Sequence, residues 1–430
     1  MEAAPRTLKE ARLPSYREEW GRAMQRELQM CRDFKSYDLV RRPKDHTVMS
    51  TTWTFTRKPE ERFKVRWEAQ GYAQSAGIDY DETFSPVCRF GSVRLILDFA
   101  NEHDRLVHHL DTTNAFLHAP LINYDVYVNQ PPGFIQTDPE SCEECVCKLK
   151  RSLYGLKQSS LNWFRIFNNK LREFGFKPLR SDQWVLLFQR EEKIAIVTVY
   201  VDDVLITGSD NDILTEVNSF ITNAFAVKDL GEVSMIIGVT VTRESKGGTL
   251  HYTLLPDEVP LPNSGDSQLL ADDTKRRYQE ITGALVYLQS CTRPDLSFSV
   301  LQLARHINRP SKRHMSAAKR TLRFVQGTRY TSFPYHRGHF KLHGNAALSW
   351  PSHKQSLVTR SSTECELVSL VEATDKARYL WTFLQEIGHD AAPVPIMEDN
   401  KGTFDLAQHA SFSKRTKHIT VRVRYMHEQV

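Results

Sequence analysis

Two adjacent carboxylates, Asp202 and Asp203, lie between two apolar, β-branched runs, 194–201 and 204–207, in KIAIVTVYVDDVLITGSD. Neither charge belongs in an apolar core unless it is compensated. Held out at the tip of a rigid hairpin, the pair would be hard oxygen ligands for a divalent cation. A plain acidic turn looks the same, because Asp is a common turn residue. What separates the two readings is a further carboxylate at the end of a neighbouring strand, since two metals about 4 Å apart share anionic ligands. LVHHLDTTNAFLHAPL, residues 106–121, supplies one: a short apolar strand ends at Asp111.

Other residues could serve the same chemistry. In RFKVRWEAQGYAQ, Lys64 and Arg66 alternate with Phe63, Val65 and Trp67, so both cations share one strand face, a geometry suited to gripping a triphosphate. An ordinary exposed strand would alternate in the same way. In LYGLKQSSLNW, Gly155 permits close backbone approach to a ligand and Lys157 brings a cation. A helix follows, with Trp163, Phe167 and Leu171 among its apolar positions.

The elements that must position these groups are an alternation of helices and strands. Spacing of Trp20, Met24 and Leu28 predicts a helix over 17–30, and short strands follow at 37–40 and 51–56. A helix within 83–101 turns Val93, Ile96, Leu97 and Ala100 to one side. Prolines at 256, 260 and 262 predict an irregular connector, not a helix, over 249–275.

Composition sets the bounds. The chain has 430 residues, 40% hydrophobic and 25% charged, enough for two or three domains with ordinary soluble cores. It has no run of 18 apolar residues, and MEAAPRTLKE is no signal peptide, so no membrane partner is expected and the protein is read as intracellular, cytoplasmic or nuclear, and not secreted. Seven scattered cysteines fit a reducing compartment. Cys142, Cys145 and Cys147 are close together, but no second Cys or His pair follows at finger spacing, so no zinc is expected.

The net charge of +5 hides an asymmetry. Residues 296–363 contain twelve Lys and Arg and no Asp or Glu, leaving −7 on the remainder, 45 basic against 52 acidic residues. Such a block is an electrostatic footprint for a polyanion. Arg305, Arg309, Lys312, Arg313, Lys319, Arg320, Arg323 and Arg329 fall within it, several on a helix expected over 316–326 with Leu322 and Val325 facing the protein.

The blocks RFKVR, AQGYAQ, GIDYDETFSPV, LDTTNAFLHAPL, VYVNQPPGF, SLYGLKQSS, YVDDVLITG, VKDLG, TGALVYLQSCTRPDLSFSV, AAKRTLRFVQGT, SSTECE and RTKHI occur in one order from Trp20 almost to the C-terminus. In that order the chain resembles the reverse transcriptase of copia-type LTR retrotransposons. The resemblance implies an α+β, right-hand polymerase fold, with fingers and an antiparallel palm sheet over 20–245 after a tail at 1–19. A shortened thumb and connection at 246–335 and an incomplete ribonuclease H-like α/β domain at 336–430 would follow. It implies nucleotidyl transfer from a dNTP to a primer 3′-OH with two Mg²⁺ or Mn²⁺ ions, and RNA template, DNA primer and RNA–DNA hybrid as partners. Asp111, Asp202 and Asp203 become the metal-binding carboxylates and Phe116 the steric gate against a ribose 2′-OH. Lys64 and Arg66 become the triphosphate grip, and Gly155, Lys157 and Gln158 the box against nucleotide and template.

Departures from the family pattern carry their own expectations. Trp67 and Glu68 replace apolar strand residues, which should weaken packing beneath Arg66. Ser160 and Leu161 replace the usual Pro-Arg. Glu364 in SSTECE and Asp399 in MEDN fill two of about four ribonuclease H carboxylate places. The first is missing between Leu342-His343-Gly344 and Ser349-Trp350, and Thr420 stands where an acid follows RTKHI. Loss of ribonuclease H activity is the expectation. A decayed, inactive nucleic-acid-binding remnant, an interaction protein reusing the scaffold, and a DNA-copying polymerase are the other readings; the retained carboxylates and the YVDD and GLKQ boxes weigh against them.

Overall fold

In the computed structural model the β-branched runs beside Asp202 and Asp203 form the middle of a six-stranded antiparallel sheet. The structure describes residues 4–58, 62–85, 88–137, 144–243, 250–253, 270–331, 333–335, 361–390, 394–408 and 420–429. The sheet order is Val227–Glu232, Val107–Thr112, Asp203–Gly208, Lys193–Tyr200, Val185–Arg190, Lys177–Pro178. Residues 195–199 and 204–208 are buried without alternation, which explains the unbroken apolar runs: apolar layers cover both faces.

Helices Phe90–Glu102, Ser159–Phe174 and Asn211–Ala224 share this core through Ile96, Phe167, Leu171, Ile213, Val217 and Ile221. Fully burying one such side chain contributes roughly 1.5–3 kcal/mol. The expected stripe Val93, Ile96, Leu97 and Ala100 is buried. Asp210 starts the helix Asn211–Ala224 by accepting from the Ile213 amide at 2.9 Å, satisfying an N-terminal N–H the helix cannot use itself.

A second core joins the helix Arg17–Asp33 to the hairpin of Thr51–Lys58 and Arg62–Ala69. Trp20, Met24 and Leu28 are buried there as their spacing predicts. Trp67 corrects one expectation. It is 0% exposed, pairs with Trp53 across the hairpin and meets the Tyr37 ring at 5.4 Å, so it fills the space beneath the cationic face instead of loosening it. A four-stranded sheet, Tyr37–Val40, Val146–Leu149, Val126–Asn129 and Val48–Met49, completes this part.

Helices Asp272–Cys291, Ser297–Ala304 and Lys312–Gly327 form a third core. The last begins four residues earlier than its apolar pattern suggests, because Ser311 and His314 form a reciprocal cap at its start. The described ends of the expected connector are regular. Leu250–Thr253 is a strand between Val239–Arg243 and Phe333–Tyr335, and helix begins at Asp272; the three prolines lie outside the described residues.

The helix Ser362–Glu386 divides its buried side between two cores. Leu367 and Leu370 pack with Lys401–Gln408 and Thr420–Gln429, whereas Phe383, Leu384 and Ile387 enter the core of the six-stranded sheet. Glu386 accepts from the Arg180 and Ser181 amides at 2.8 and 3.0 Å. Described residues beyond 336 are helical or irregular and contain no strand; the segment 342–350, where the first ribonuclease H acid is missing, and RTKHI lie outside them. Among the described residues no helix is long and apolar enough to cross a membrane.

Candidate functional site

The pair Tyr200 and Asp203 closes a two-residue turn of Val201 and Asp202. Val201 has φ +60°, a left-handed conformation that costs a β-branched residue about 1–3 kcal/mol. Two contacts outside the hairpin hold it. Trp163 Nε1 donates to the Val201 carbonyl at 2.7 Å, and the Thr112 amide donates to the Asp202 carbonyl at 2.8 Å. The second contact extends the pairing of Asp203–Gly208 with Val107–Thr112, in which Asp203 stands directly opposite Asp111. Alternation makes 111 and 203 a non-hydrogen-bonded pair, the closer kind, with Cα atoms about 4.5 Å apart. The three carboxylate residues thus share one end of the sheet.

Their surroundings differ. Burial pushes the Asp202 carboxyl above the usual carboxylate range; the charges of Asp203 and Asp111 push it further, and Lys64 opposes them. Asp203 instead accepts from His109 Nε2 at 2.8 Å. Lys228, exposed, faces Asp111 from the other neighbouring strand. Among the described residues no three His, Cys, Asp or Glu side chains are drawn together closely enough to hold a metal ion as they stand. The donor set still suits one. Asp111, Asp202 and Asp203 offer hard oxygens, and the charge crowding felt by Asp202 is what a divalent cation would relieve.

Lys64 and Arg66 lie on the hairpin face opposite the tryptophan core, across from Thr56 and Thr54. Arg66 sits 4.7 Å over the Tyr154 ring, and its Nε is buried without a hydrogen-bond partner. Tyr154 in turn meets Phe116 edge-on at 4.8 Å. Burial lifts the Tyr154 hydroxyl to about 12; Arg66 pulls it down, and the charges of Asp202 and Glu27 add to the rise. Glu27, buried, accepts from the Trp67 amide at 3.3 Å and so covers the outer edge of Arg62–Ala69. The chain Lys64, Arg66, Tyr154, Phe116 therefore borders the carboxylate end.

Gly155 is where the sequence placed a close approach, though the neighbour is this chain's own backbone. Its φ is +87°, and a Cβ there would stand 2.0 Å from the Ala69 carbonyl oxygen. Gln158 is 5% exposed; it accepts from Gln74 Nε2 at 2.9 Å and donates to the Asp79 carbonyl at 3.0 Å. Its amide holds the 71–80 segment and is not presented to a ligand. The Lys157 ammonium donates to the Gln74 carbonyl and Tyr80 hydroxyl, both at 3.2 Å, and lies 4.8 Å over the Tyr80 ring.

On the helix Lys312–Gly327, Leu322 and Val325 are buried as expected, while Arg313, Arg320 and Arg323 are exposed. Arg305, Arg309 and Arg329 are exposed too; Lys312 and Lys319 are half-buried. Arg329 stacks on the exposed Tyr330 at 4.6 Å. Glu364 lies in the first turn of Ser362–Glu386, its amide donating to the Ser361 hydroxyl at 3.2 Å. Asp399 precedes Lys401–Gln408.

Sequence reasoning missed His109, Tyr154 and Lys228. Period-two alternation back from Asp111 would have found His109 on the same strand face. Tyr154 precedes the glycine already singled out, and nothing local in VKDLG marks Lys228.

The family model described as reverse transcriptase (RNA-dependent DNA polymerase) matches residues 34–255. The retrovirus-related Pol polyprotein from transposon RE1 of Arabidopsis thaliana is 33% identical, over 96% of this chain and 31% of its own length. That from transposon TNT 1-94 of Nicotiana tabacum is 30% identical, over 99% and 36%. The putative transposon Ty5-1 protein of Saccharomyces cerevisiae is 30% identical, over 53% and 79%. The chain thus spans about a third of the length of the plant relatives. A solved foamy viral protease-reverse transcriptase in complex with double-stranded DNA matches with TM-score 0.49 and 13% identity, over 95% of this chain and 68% of that one, too loose a likeness to argue from.

Proposed function

This chain belongs to the reverse transcriptase family, among the Pol polyproteins of copia-type retrotransposons, and we propose that it carries out RNA-directed DNA synthesis at the carboxylate end of its six-stranded sheet. The observation that carries this reading is the register that sets Asp203 opposite Asp111 beside the strained turn bearing Asp202, with Lys64 and Arg66 bordering the same end. In this reading residues 20–245 are fingers and palm of a right-hand polymerase, and 246–335 a short thumb and connection.

The reaction joins a primer 3′-oxygen to the α-phosphorus of a dNTP. The bond from that phosphorus to pyrophosphate breaks, and the hydroxyl proton leaves to solvent. Asp111 and Asp202, with Asp203 beside them, would hold two Mg²⁺ or Mn²⁺ ions, which neutralise phosphate charge and acidify the hydroxyl when bound. Lys64 and Arg66 grip the triphosphate, Arg66 being held in place over the Tyr154 ring. Phe116, steadied by Tyr154, crowds a ribose 2′-OH and so favours deoxynucleotides. Lys157 and Gln158 act one step removed, by fixing the 71–80 segment.

The exposed arginines of Lys312–Gly327 follow the phosphates of the RNA–DNA hybrid. The C-terminal segment, with Glu364 and Asp399 as its remaining acids of that kind, binds hybrid without cutting it. Extension of a DNA primer on an RNA template tests the polymerase assignment. Asp202→Asn should abolish extension and leave hybrid retention in a gel shift nearly intact, because it removes charge and little volume. Equal extension by the variant would overturn the assignment.

A further inference from the structure

Arg66 and Phe116 come from different parts of the chain, and one ring joins them. Arg66 lies on the hairpin strand Arg62–Ala69, whereas Phe116 sits in the one-turn helix Ala115–His118 that follows the strand of Asp111. Tyr154 meets both. The Arg66 guanidinium stands 4.7 Å over its ring, and Phe116 approaches it at 4.8 Å with the ring planes 61° apart. The tyrosine backbone is fixed by the hairpin. Its carbonyl accepts from the Ala69 amide at 2.8 Å, it pairs with Glu68 as a parallel bridge, and the adjoining Gly155 is pressed onto the Ala69 carbonyl. Tyr154 is thus part of the strand end that carries Arg66, and its ring braces Phe116 from the hairpin side. A gate that works by crowding discriminates only as well as its ring resists being pushed aside. Phe116 is half-buried, so that resistance depends on what it touches.

We propose that Tyr154 is a positioning residue for sugar selection: it ties the Phe116 gate to the Arg66 grip, so that refusal of ribonucleotides depends on the Arg66–Tyr154 stack as well as on Phe116 itself. The inference deepens the polymerase reading and rests on it. Tyr154 touches neither sugar nor phosphate in this role. A 2′-hydroxyl that presses on Phe116 presses, through it, on a stacked pair pinned to the hairpin.

The test is single-nucleotide extension of a DNA primer on RNA by the full chain. The readout is the ratio of kcat/KM for a dNTP to that for the matching ribonucleotide. Both values come from one preparation, so the fraction of folded protein cancels. Tyr154→Leu, which removes the ring, should lower the ratio roughly two- to tenfold, the scale of one aromatic pair. Tyr154→Phe, which keeps the ring, should stay near wild type. Arg66→Lys keeps the charge and loses the planar stack; it should raise KM for both nucleotides and also lower the ratio. In the Phe116→Ala background, Tyr154→Leu should lower the ratio no further, a non-additivity expected only if the tyrosine acts through the gate. If Tyr154→Leu does not fold or extend, Arg66→Lys decides, an unchanged ratio being the contrary result. A wild-type ratio in Tyr154→Leu, with the ratio relaxed in Phe116→Ala, would overturn the role of Tyr154 and leave the gate standing. An unrelaxed ratio in Phe116→Ala would remove the gate and this inference with it. Absence of extension by wild type under both Mg²⁺ and Mn²⁺ would remove the polymerase reading itself.

Discussion

Trp163 donates its indole N–H to the carbonyl of Val201, the residue whose left-handed backbone turns the hairpin that carries Asp202 and Asp203. A core side chain on the helix Ser159–Phe174 thereby fixes an energetically unfavourable turn at the proposed catalytic end. Strain of this kind persists only where the surroundings over-determine it.

Trp163→Phe should therefore destabilise the protein by about 1–2 kcal/mol in denaturant unfolding, the range for a lost buried hydrogen bond. Val201→Gly, which accepts the positive φ, should make the tryptophan substitution less costly. Additive costs in the double variant would show that the contact does not hold the turn.

Gly155→Ala should be worse than its size suggests. The added Cβ meets the Ala69 carbonyl oxygen at 2.0 Å, and the backbone is left-handed there. A loss of about 2 kcal/mol or more is expected. Tyr154 moves with the loop and Arg66 stacks on it, so KM for dNTP should rise in the folded fraction.

The amount legible in the sequence follows the range of the forces involved. Strands 193–200 and 203–208 were legible because a sheet buried on both faces needs unbroken β-branched runs, and the helices because their stripes repeat locally. Asp111, Asp202 and Asp203 were legible as a set, whereas the partner chosen by Asp203 depends on a diagonal across two strands. Gln158 looked like a ligand contact, but Gln74, far away in sequence, claims its amide. Trp67 looked out of place until Trp53 and Tyr37 closed around it. The division of Ser362–Glu386 between two cores is equally non-local, since an apolar stripe does not say what covers it.

Asp98 gives a pH signature unrelated to the site. Burial, aided by the Glu102 charge, lifts its carboxyl to about 7. The folded state therefore binds that proton more tightly than the unfolded state. Asp98 is neutral and harmless below about pH 4, and its cost grows as pH rises towards 7. Asp98→Asn should match wild type near pH 4 and exceed its stability by up to about 4 kcal/mol at pH 8. A stability difference independent of pH would contradict this.

Arg320 and Arg323 project from the exposed side of Lys312–Gly327. Replacing both with Ala should weaken hybrid binding at low salt and lower the slope of log affinity against log salt by roughly 0.7–0.9 per lost phosphate contact. An unchanged slope would place the hybrid elsewhere.

The most direct measurement is addition of single nucleotides to a DNA primer annealed to RNA of known sequence, with purified protein and Mg²⁺ or Mn²⁺. The predicted result is addition of only the dNTP complementary to each template base, with the matching ribonucleotide refused by wild type and admitted by Phe116→Ala. Retention of the hybrid with no nucleotide added under either metal would contradict the polymerase assignment.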